Sequence, residues 1–458
     1  MAAMAPTKDA EPPLHILFFP FLLPGHLIPM ADMAALFAAR GVRCTVLTTP
    51  VQASTIRSVV DRANGSSAAG TPMSISVVPF PDVGLPMAAQ SGRDLATSRD
   101  YHDRFLQTVE LLREPFCRFL SDHHADIDAV VSDSLFHWSA HATAEHGLPR
   151  IAFLATSMFA RACTDTVLRS NVFESCSDDH GAVVSLPGLP HRVEQRRSQM
   201  MDPAKRPHEW AMFQLIHAAD RSSYGELFNS FRVLEPGYAE HYRATQLRRR
   251  AWLVGPVALA SGSLEDMREL ARGLDLSGKN FVWVIAKGST AASSDPSTPD
   301  GFPTANRGYI VRGWAPQVLI LNHPAVGGFV THCGWNSTLE AVSAGVPMVT
   351  WPRYADQFYN EKLVVEVLGV GVGVGAEDYA SCLETHRVIA GEAIAESIRR
   401  VMGEEGDGAA MRKKAKELGV MPRGAVEKGG SSYDDVGQLM EELIARRSSV
   451  GCTADGGT

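Results

Sequence analysis

The chain has 458 residues, of which 45% are hydrophobic, and its 51 acidic and 43 basic side chains give a net charge of -8. This length and apolar share predict a globular protein with two large domains or about three smaller ones. The mild acidic excess argues against a nucleic-acid partner, which would need a basic face, and against a polyanionic substrate. Seven cysteines, an odd number without C-x-x-C spacing, argue against a disulfide framework or a zinc site and favour a reducing compartment.

The most apolar stretch near the N-terminus spans residues 14–37. It is interrupted by three prolines, His26 and Asp32, and Asp9 and Glu11 precede it where a signal peptide would have a basic cluster. This pattern predicts a buried strand, a turn and a helix, and not a signal peptide or a stable membrane insertion. Residues 1–13 are small and polar, so we expect them to be disordered. Without a lipidation or retention motif, the expected location is cytoplasmic.

The N-terminal half alternates apolar runs with amphipathic segments. LHILFF at 14–19 is typical of a parallel strand that is buried on both faces. A helix follows from about His26, and Gly41 is placed to end it. The recurrence of this pattern predicts an α/β fold, with an open parallel sheet and helices on both faces. Further strands are predicted at 42–48, 128–133 and 150–155, and a further helix at 137–146.

The second half repeats the theme, so a second α/β domain is expected. The boundary is predicted near 252–263, where Gly, Pro and Ser cluster. Strands are predicted at 281–286, 309–312, 327–332 and 347–351, helices after Asn336 and near 387–402, 408–418 and 432–447, and surface loops at 62–72, 174–182 and 287–307.

The stretch 314–357 contains the strongest local signal for a ligand. The strand 327–332 runs into a short glycine-containing loop, and a helix opens at Asn336 or Ser337. Exposed amides and the positive dipole end at such a helix start suit a phosphate or diphosphate. His332 ends the strand within reach of that anion.

A second interpretation of the same residues is purely structural. Ser337 and Glu340 have the S-x-x-E spacing of a capping box, which would stabilise the start of the helix without any ligand. The spacing alone leaves both interpretations open.

His26 and Asp133 form a second candidate site. A lone histidine is usually structural, but His26 follows the first strand directly, and Asp133 ends a different predicted strand. Ligands of open α/β folds bind at this carboxyl edge of the sheet. The two side chains are therefore expected to meet, with Asp133 orienting a histidine that accepts a proton from a hydroxyl.

Several weaker patterns do not predict a metal, cofactor or catalytic site. Three histidines near one predicted helix come without a convincing ligand set, so no metal site is expected there. The glycines of GVGVGVG lack the helix that follows a dinucleotide fingerprint, and we interpret them as a strand and turn. The absence of G-x-S-x-G argues against an α/β-hydrolase, and the absence of G-x-G-x-x-G after 14–19 argues against a dehydrogenase.

The forty-four residues WAPQVLILNHPAVGGFVTHCGWNSTLEAVSAGVPMVTWPRYADQ, at 314–357, resemble without a gap the signature box of the plant family-1 UDP-glycosyltransferases. Segments 223–242 and 351–372 and the terminal GGSSYDDVGQLMEELI resemble the family too, so the likeness spans most of 14–447. The family has a GT-B fold, in which two Rossmann-like domains face each other across a cleft. The resemblance implies that the C-terminal domain binds a UDP-sugar and the N-terminal domain a small-molecule acceptor.

The resemblance also implies a role for each matched residue. His26 would be the catalytic base and Asp133 its partner. In this family Gln357 accompanies glucose, whereas a histidine there accompanies galactose. The implied donor contacts are the uracil for Trp314, Ala315 and Gln317, the diphosphate for His332, Asn336 and Ser337, the ribose for Glu340, and the sugar for Trp335, Asp356 and Gln357.

The expected activity is transfer of glucose from UDP-glucose, with inversion, to a hydroxyl of a flavonoid, other phenolic, terpenoid or hormone. No metal or other cofactor is implied, because the helix dipole and the side chains would stabilise the leaving diphosphate. The acceptor pocket is expected from loops near 80–100, 155–165 and 185–215. The alternative is a truncated, non-catalytic relative that binds UDP or a metabolite.

One departure from the family pattern lies between Pro256 and Met267, which only ten residues separate. The family normally has a variable linker, a strand and a phosphate-binding loop there, so the C-terminal sheet is expected to lack its first, central strand. Gly262–Ser263 is interpreted as a remnant of the loop, and 252–259 as a candidate substitute strand. The implied boundaries are 14–250 for the acceptor domain, 251–263 for a shortened linker, 264–430 for the UDP-sugar domain, and 431–447 for a helix that packs back on the N-terminal domain.

Overall fold

A computed structural model of the chain describes residues 12–66, 71–90, 99–174, 176–177, 179, 181–245, 250–255, 265–285, 307–313, 315–380 and 387–455. Trp314, the proposed loop remnant Gly262–Ser263 and residues 1–11 of the predicted N-terminal tail lie outside the described residues.

The structure alternates strands and helices along the chain. The strands are β1 His15–Phe19, β2 Arg43–Thr48, β3 Met73–Val77, β4 Ala129–Asp133, β5 Arg150–Leu154, β6 Val183–Leu186, β7 Val193–Arg196, β8 Gly225–Phe228, β9 Ala251–Leu253, β10 Phe281–Ile285, β11 Gly308–Arg312, β12 Phe329–Thr331, β13 Met348–Thr350 and β14 Gly371–Gly373. The helices are α1 Pro24–Ala38, α2 Pro50–Ser66, α3 Met87–Gln90, α4 Arg99–Leu111, α5 Arg113–His123, α6 Ser139–Ala144, α7 Met158–Arg169, α8 Pro207–Ser222, α9 Tyr238–Thr245, α10 Glu265–Ser277, α11 Gln317–Leu321, α12 Trp335–Ser343, α13 Gln357–Lys362, α14 Gly391–Val401, α15 Gly406–Gly419, α16 Met421–Val426 and α17 Ser431–Asp455. Short 3-10 turns occupy His124–Asp126 and Arg197–Gln199, and Leu363–Val367 forms a π-helical turn.

The N-terminal half contains one seven-stranded parallel sheet in the order β3-β2-β1-β4-β5-β8-β9. β1 lies in its interior, where Ile16 is in register with Cys44 of β2 and with Ala129 of β4. All five residues of β1 are buried, as its uninterrupted apolar run predicts. The predicted α/β class is thus confirmed, and the pairing of β1 with β4 brings their carboxyl ends together.

The strands of the C-terminal half form two separate parallel sheets. β10 pairs with β11, whereas β12, β13 and β14 form the second sheet. Among the described residues, no strand pairs with β10 on one side and with β12 on the other. The split agrees with the expected loss of a central strand. The suggestion that 252–259 replaces that strand is wrong for its described part, because β9 pairs with β8 in the N-terminal sheet.

Two hydrophobic clusters tie the halves and the C-terminal helix together. One contains Phe159 and Tyr238 from the first half and Trp335 and Leu363 from the second, all nearly fully buried. In the other, three apolar residues of α17 pack with the core around β1 and β2. The long helix α17 therefore lies on the N-terminal sheet.

One sequence prediction, on a loop, is wrong, and one, on membrane insertion, can be tested only for the described residues. The tract 62–72 is predicted to be a loop, but α2 extends through Ser66. The helix can continue into the tract because the tract's turn-forming residues occur only at the end of the helix and beyond it. No helix in the described ranges is long and apolar enough to cross a bilayer.

Candidate active site

The structure brings His26 and Asp133 together at the carboxyl edge of the N-terminal sheet. His26 lies in the first turn of α1, immediately beyond β1, and Asp133 is the last residue of β4. The Nδ1 atom of His26 is 2.8 Å from Oδ2 of Asp133. The histidine side chain is 26% exposed, whereas the aspartate is only 1% exposed. The imidazole can therefore meet a ligand while the carboxylate stays shielded behind it.

The surroundings of His26 favour its protonated form. Burial lowers the pKa of the imidazole. The charge and hydrogen bond of Asp133, together with the charge of Asp356, raise it by more than burial lowers it, so the net pKa lies above the usual value. In the neutral ring, Nδ1 carries the proton because the carboxylate accepts a hydrogen bond from it, and Nε2 keeps its lone pair. This tautomer suits a general base that accepts a proton at Nε2.

Aromatic rings form an apolar wall beside the histidine. The ring of Phe21 meets the imidazole edge-on, with centroids 5.4 Å apart. Phe21 in turn packs against Phe136 at 5.5 Å and Phe105 at 6.1 Å. All three rings belong to one buried hydrophobic cluster and are at most 4% exposed, so they support the histidine from the protein core.

In the second half, a tight loop joins β12 to α12. Cys333 has a φ of 63°. A Cβ atom on Gly334 would overlap the ring of His332, so any larger residue there would require that ring to move. Burial, with a contribution from the charge of Arg353, lowers the pKa of His332 to about 4. The ring is therefore neutral at pH 7, and it would contact an anion as a hydrogen-bond donor and not as a cation.

The helix after this loop begins earlier than expected. α12 starts at Trp335, its N-cap is Gly334, and no side chain caps it. The capping-box interpretation is therefore wrong, because Ser337 lies inside the first turn and the Glu340 carboxylate bonds elsewhere. The first-turn amides of an uncapped helix start are donors that an anion can use.

Glu340 is a buried carboxyl group with one oxygen lacking a partner. The side-chain amide of Gln317 donates to its Oε2 at 2.5 Å and to the Ser337 hydroxyl at 3.3 Å. Oε1 of Glu340 is buried without a hydrogen-bond partner. Burial raises the pKa of Glu340 to about 7, although the Gln317 bond opposes the shift. A buried acceptor of this kind is stabilised by a hydroxyl that donates to it.

Trp335 and Asn336 contact the N-terminal half of the chain. The indole N–H of Trp335 donates to the backbone oxygen of Asn229 at 2.7 Å, and the side chain is only 3% exposed. The indole ring packs in the core shared by the two halves, so the predicted sugar contact of Trp335 would have to come from its backbone. The Asn336 amide donates to the backbone oxygen of Gly25 at 2.7 Å. A diphosphate at Asn336 would have to compete with that bond.

Asp356 and Gln357 lie at the start of α13, close to His26. Oδ2 of Asp356 accepts from the Thr156 hydroxyl at 2.6 Å and from the Asn360 amide at 3.0 Å. Burial raises the pKa of Asp356, while those bonds and the nearby His26 counteract it. The oxygen of Gln357 accepts from the backbone N–H groups of Arg353 and Tyr354 at 2.9 and 3.3 Å. The amide therefore presents its N–H donors to a ligand, and not both donor and acceptor as the residue type alone suggests.

The predicted residues thus form two groups that face each other. Ala315 is buried just before α11, which begins at Gln317. Sequence reasoning missed Thr156 and Asn229, which link the halves. Asn229 lies in the family-like segment 223–242 and Thr156 in the loop 155–165, but only the packing of the two halves reveals their roles.

Comparisons with known proteins identify relatives over nearly the whole chain. A family model described as "UDP-glucoronosyl and UDP-glucosyl transferase" matches residues 257–395. Scopoletin glucosyltransferase of Nicotiana tabacum is 38% identical, with 96% of this chain and 99% of the relative covered. Soyasapogenol B glucuronide galactosyltransferase of Glycine max is 35% identical, with 94% and 95% covered. The crystal structure of a Glycyrrhiza uralensis UGT complexed with glycyrrhetinic acid 3-O-monoglucuronide superposes with a TM-score of 0.87, at 32% identity and with 97% and 98% covered.

The match to the Nicotiana tabacum enzyme extends over 488 aligned positions, more than the 458 residues of this chain. The relative therefore contains residues that have no counterpart here.

Proposed function

We propose that this chain, which belongs to the plant family-1 UDP-glycosyltransferases and has their GT-B fold, transfers glucose from UDP-glucose to a hydroxyl of a small lipophilic plant metabolite. The observation that carries the proposal is the 2.8 Å contact between His26 and the shielded Asp133 at an apolar wall. An imidazole in that position suits the deprotonation of an acceptor hydroxyl.

In the proposed reaction, Nε2 of His26 removes the proton of the acceptor hydroxyl. The acceptor oxygen forms a bond to the anomeric carbon of glucose, while the bond from that carbon to the diphosphate oxygen breaks and its electron pair leaves with UDP. Attack opposite the leaving group inverts the anomeric configuration. Asp133 stabilises the imidazolium that forms, as the carboxylate of a catalytic triad does.

The donor site is proposed around the start of α12. The amides of its first turn, with His332, Asn336 and Ser337, would hold the diphosphate. Trp314, which lies outside the described residues, would stack on the uracil beside Ala315. The free oxygen of Glu340 supports a ribose contact, because a ribose hydroxyl would supply the missing donor.

The acceptor is proposed to be phenolic, terpenoid or hormone-like, since the similar proteins include a scopoletin glucosyltransferase and a soyasapogenol B glucuronide galactosyltransferase. A mass-spectrometric screen of the purified protein with UDP-glucose and a plant extract would identify it. Glucoside products support the proposal, and the absence of any product contradicts it. We also propose a cytoplasmic location, because a reducing compartment suits the cysteine pattern.

A non-catalytic relative that binds UDP is the second candidate, and the split C-terminal sheet favours it. Consumption of UDP-glucose with a broad panel of phenols separates the two. Nucleotide binding without consumption would support the second candidate.

UDP-glucose should be preferred over UDP-galactose. The backbone of Arg353 and Tyr354 fixes the Gln357 amide, so its N–H donors can read the configuration of the sugar hydroxyls. A mismatched hydroxyl at a hydrogen-bonding site costs about 1–3 kcal/mol, which corresponds to roughly 5- to 150-fold in rate. Competition between the two donors in one reaction measures the ratio. A galactose preference, the activity named for the Glycine max relative, would contradict this prediction.

Glu340→Gln should weaken UDP-glucose binding by roughly 10-fold, because a charged acceptor for the ribose is lost. In the unsubstituted protein the affinity should rise between about pH 6 and 8, since a pKa of about 7 means that the better acceptor, the carboxylate, forms over that range. The variant should lose this pH dependence. Isothermal titration calorimetry measures both effects.

Glu361→Gln is the matched control for that variant. The Glu361 carboxyl is also buried, its pKa is also raised to about 7 by burial, and it accepts from the Thr350 hydroxyl at 2.6 Å. The control should bind UDP-glucose with the parent's affinity and pH dependence. If the two variants bind alike, Glu340 has no part in the ribose site.

A further inference from the structure

The segment that carries Asp133 is held from behind by a buried arginine. Arg150 opens β5, next to β4, and is only 2% exposed. Its Nη2 donates to the backbone oxygen of Asp133 at 3.3 Å. Its Nε donates to the hydroxyl of Ser139 at 2.8 Å and to that of Ser132 at 3.4 Å. The arginine therefore contacts the end of β4 at and just before Asp133.

The residue on the other side of Asp133 is anchored as well. The hydroxyl of Ser134 donates to Oδ2 of Asp220 in α8 at 2.7 Å. Asp220 is fully buried between two cations, with Arg150 at 3.3 Å and Arg161 at 3.2 Å. Helix α8 and strand β5 thus clamp the turn that presents the Asp133 carboxylate.

The contacts of Arg150, Asp220 and Ser134, here called the clamp, affect the orientation of that carboxylate. Oδ1 of Asp133 accepts from the backbone N–H of Leu135 at 3.0 Å, which leaves Oδ2 to contact His26. The orientation of the carboxylate therefore follows the backbone of 132–135, whose position the clamp fixes. Small displacements of a catalytic group can change a rate by large factors.

Stability alone gives a weak reason for burying these charges. A buried ion pair is often no more stabilising than well-packed apolar side chains of similar volume, because both ions must be desolvated. Arg150 and Asp220 are, in contrast, well placed to orient a neighbour, since their hydrogen bonds end on the two sides of Asp133.

We infer that Arg150, Asp220 and Ser134 are positioning residues that aim the Asp133 carboxylate at His26. The inference rests on the proposed function of the His26–Asp133 pair. If the clamp loosens, Oδ2 moves away from Nδ1, and His26 becomes a weaker base with a less well oriented Nε2. Binding of the sugar nucleotide in the other half should be unaffected.

Ser134→Ala tests the inference with little risk to folding, because Asp220 keeps both arginine partners. The pKa of His26, followed by NMR of the 13C-labelled histidines and assigned by its absence in His26→Ala, should fall in the variant. The value of kcat should fall on the order of 10-fold, while KM for UDP-glucose stays within about twofold of the parent value. Ser134→Thr, which restores a hydroxyl, should return both readouts towards the parent values.

Ser277→Ala is the matched control, because this serine of α10 is equally buried and its hydroxyl donates to the Leu274 backbone at 2.7 Å. It should change neither readout. Asp220→Asn, checked for folding by its circular dichroism melt, should shift both readouts in the same direction as Ser134→Ala.

The outcomes separate the inference from the proposed function. If the parent protein transfers no glucose, the proposed function fails, and if His26→Ala keeps the parent's transfer rate, the base role of His26 fails. If His26→Ala is inactive, but Ser134→Ala leaves the His26 titration and kcat unchanged, the positioning inference alone is overturned. The NMR readout decides the inference even in a preparation that turns over slowly.

Discussion

Replacing His26 with alanine should lower the rate of glucosyl transfer by about 10²–10⁴-fold, the usual contribution of a general base. The affinity for UDP should change by no more than a few-fold, because the nucleotide contacts are proposed on the other half of the chain. Initial rates of UDP release with a phenolic acceptor measure the first effect, and calorimetric titration with UDP measures the second.

His137→Ala is the control for this substitution. His137 lies in the same half, and its ring nitrogen also contacts a carboxylate, Oε1 of Glu110, at 3.1 Å. The control should keep the parent's rate. A His26→Ala protein that transfers glucose at more than about a tenth of the parent rate would contradict the base role, since general-base catalysis contributes at least about 10²-fold.

The parts of this site that sequence could predict depend on local patterns. Continuous apolar runs locate β1 and β4, and the rule that parallel strands end at one edge places His26 near Asp133. The contact follows because β1 and β4 are neighbours in the sheet. The hydrogen bond between these two side chains could therefore be anticipated without a structure.

The strands that sequence reasoning missed lack such patterns. β8 carries the buried Glu226, which pairs with Arg161, so a charge interrupts its apolar run. β3 is only partly buried, and its sequence MSISV alternates with serine. β9 lies largely in the run 252–259, which is interpreted from sequence as a substitute strand for the other half, so its pairing with β8 was missed.

Contacts between the halves could not be predicted, because they depend on how two separately patterned units dock. The bonds from Trp335 to Asn229 and from Asn336 to Gly25 join residues more than a hundred positions apart. The S-x-x-E pattern misled for a related reason. It fits a helix start at 337, whereas α12 begins two residues earlier and a distant glutamine, Gln317, takes the Glu340 carboxylate.

The chain as it stands should be poorly stable or weakly active, because its C-terminal sheet is divided. β10 has no described neighbour on the side away from β11, and β12 none on the side away from β13. Val282, Val284 and Tyr309 are 52%, 45% and 69% exposed, so one face of the β10–β11 pair remains open. Parallel strands are normally buried on both faces.

The energetic consequence is large compared with the stability of a domain. Each unpaired backbone group costs roughly 1–3 kcal/mol if it is buried, and each large apolar side chain that is lost costs roughly 2–5 kcal/mol. Domains are stable by only about 5–15 kcal/mol. A few such losses would leave the C-terminal half partly unfolded or unable to hold the donor.

Restoring between Pro256 and Met267 the strand and loop that the family pattern has there should therefore stabilise the chain. A gain of about 5 kcal/mol would raise the melting temperature by roughly 10–20 °C, at about 2–4 °C per kcal/mol for domains of this size. The insertion should also raise the rate of transfer, because the family resemblance implies a phosphate-binding loop in the restored segment. A glycine–serine insertion of equal length is the control, and it should do neither.

Thermal unfolding of the unmodified chain, with and without UDP-glucose, gives the complementary test. We expect a broad or low transition with little response to the donor, because a divided sheet supports the nucleotide site poorly and only a ligand bound by the folded state raises its stability. A single cooperative transition above about 50 °C, a typical mesophile value, shifted upward by UDP-glucose and accompanied by rapid transfer, would contradict the prediction. In that case the described strands would suffice. The strand and loop that the family pattern has between Pro256 and Met267 would then be dispensable for both folding and donor binding.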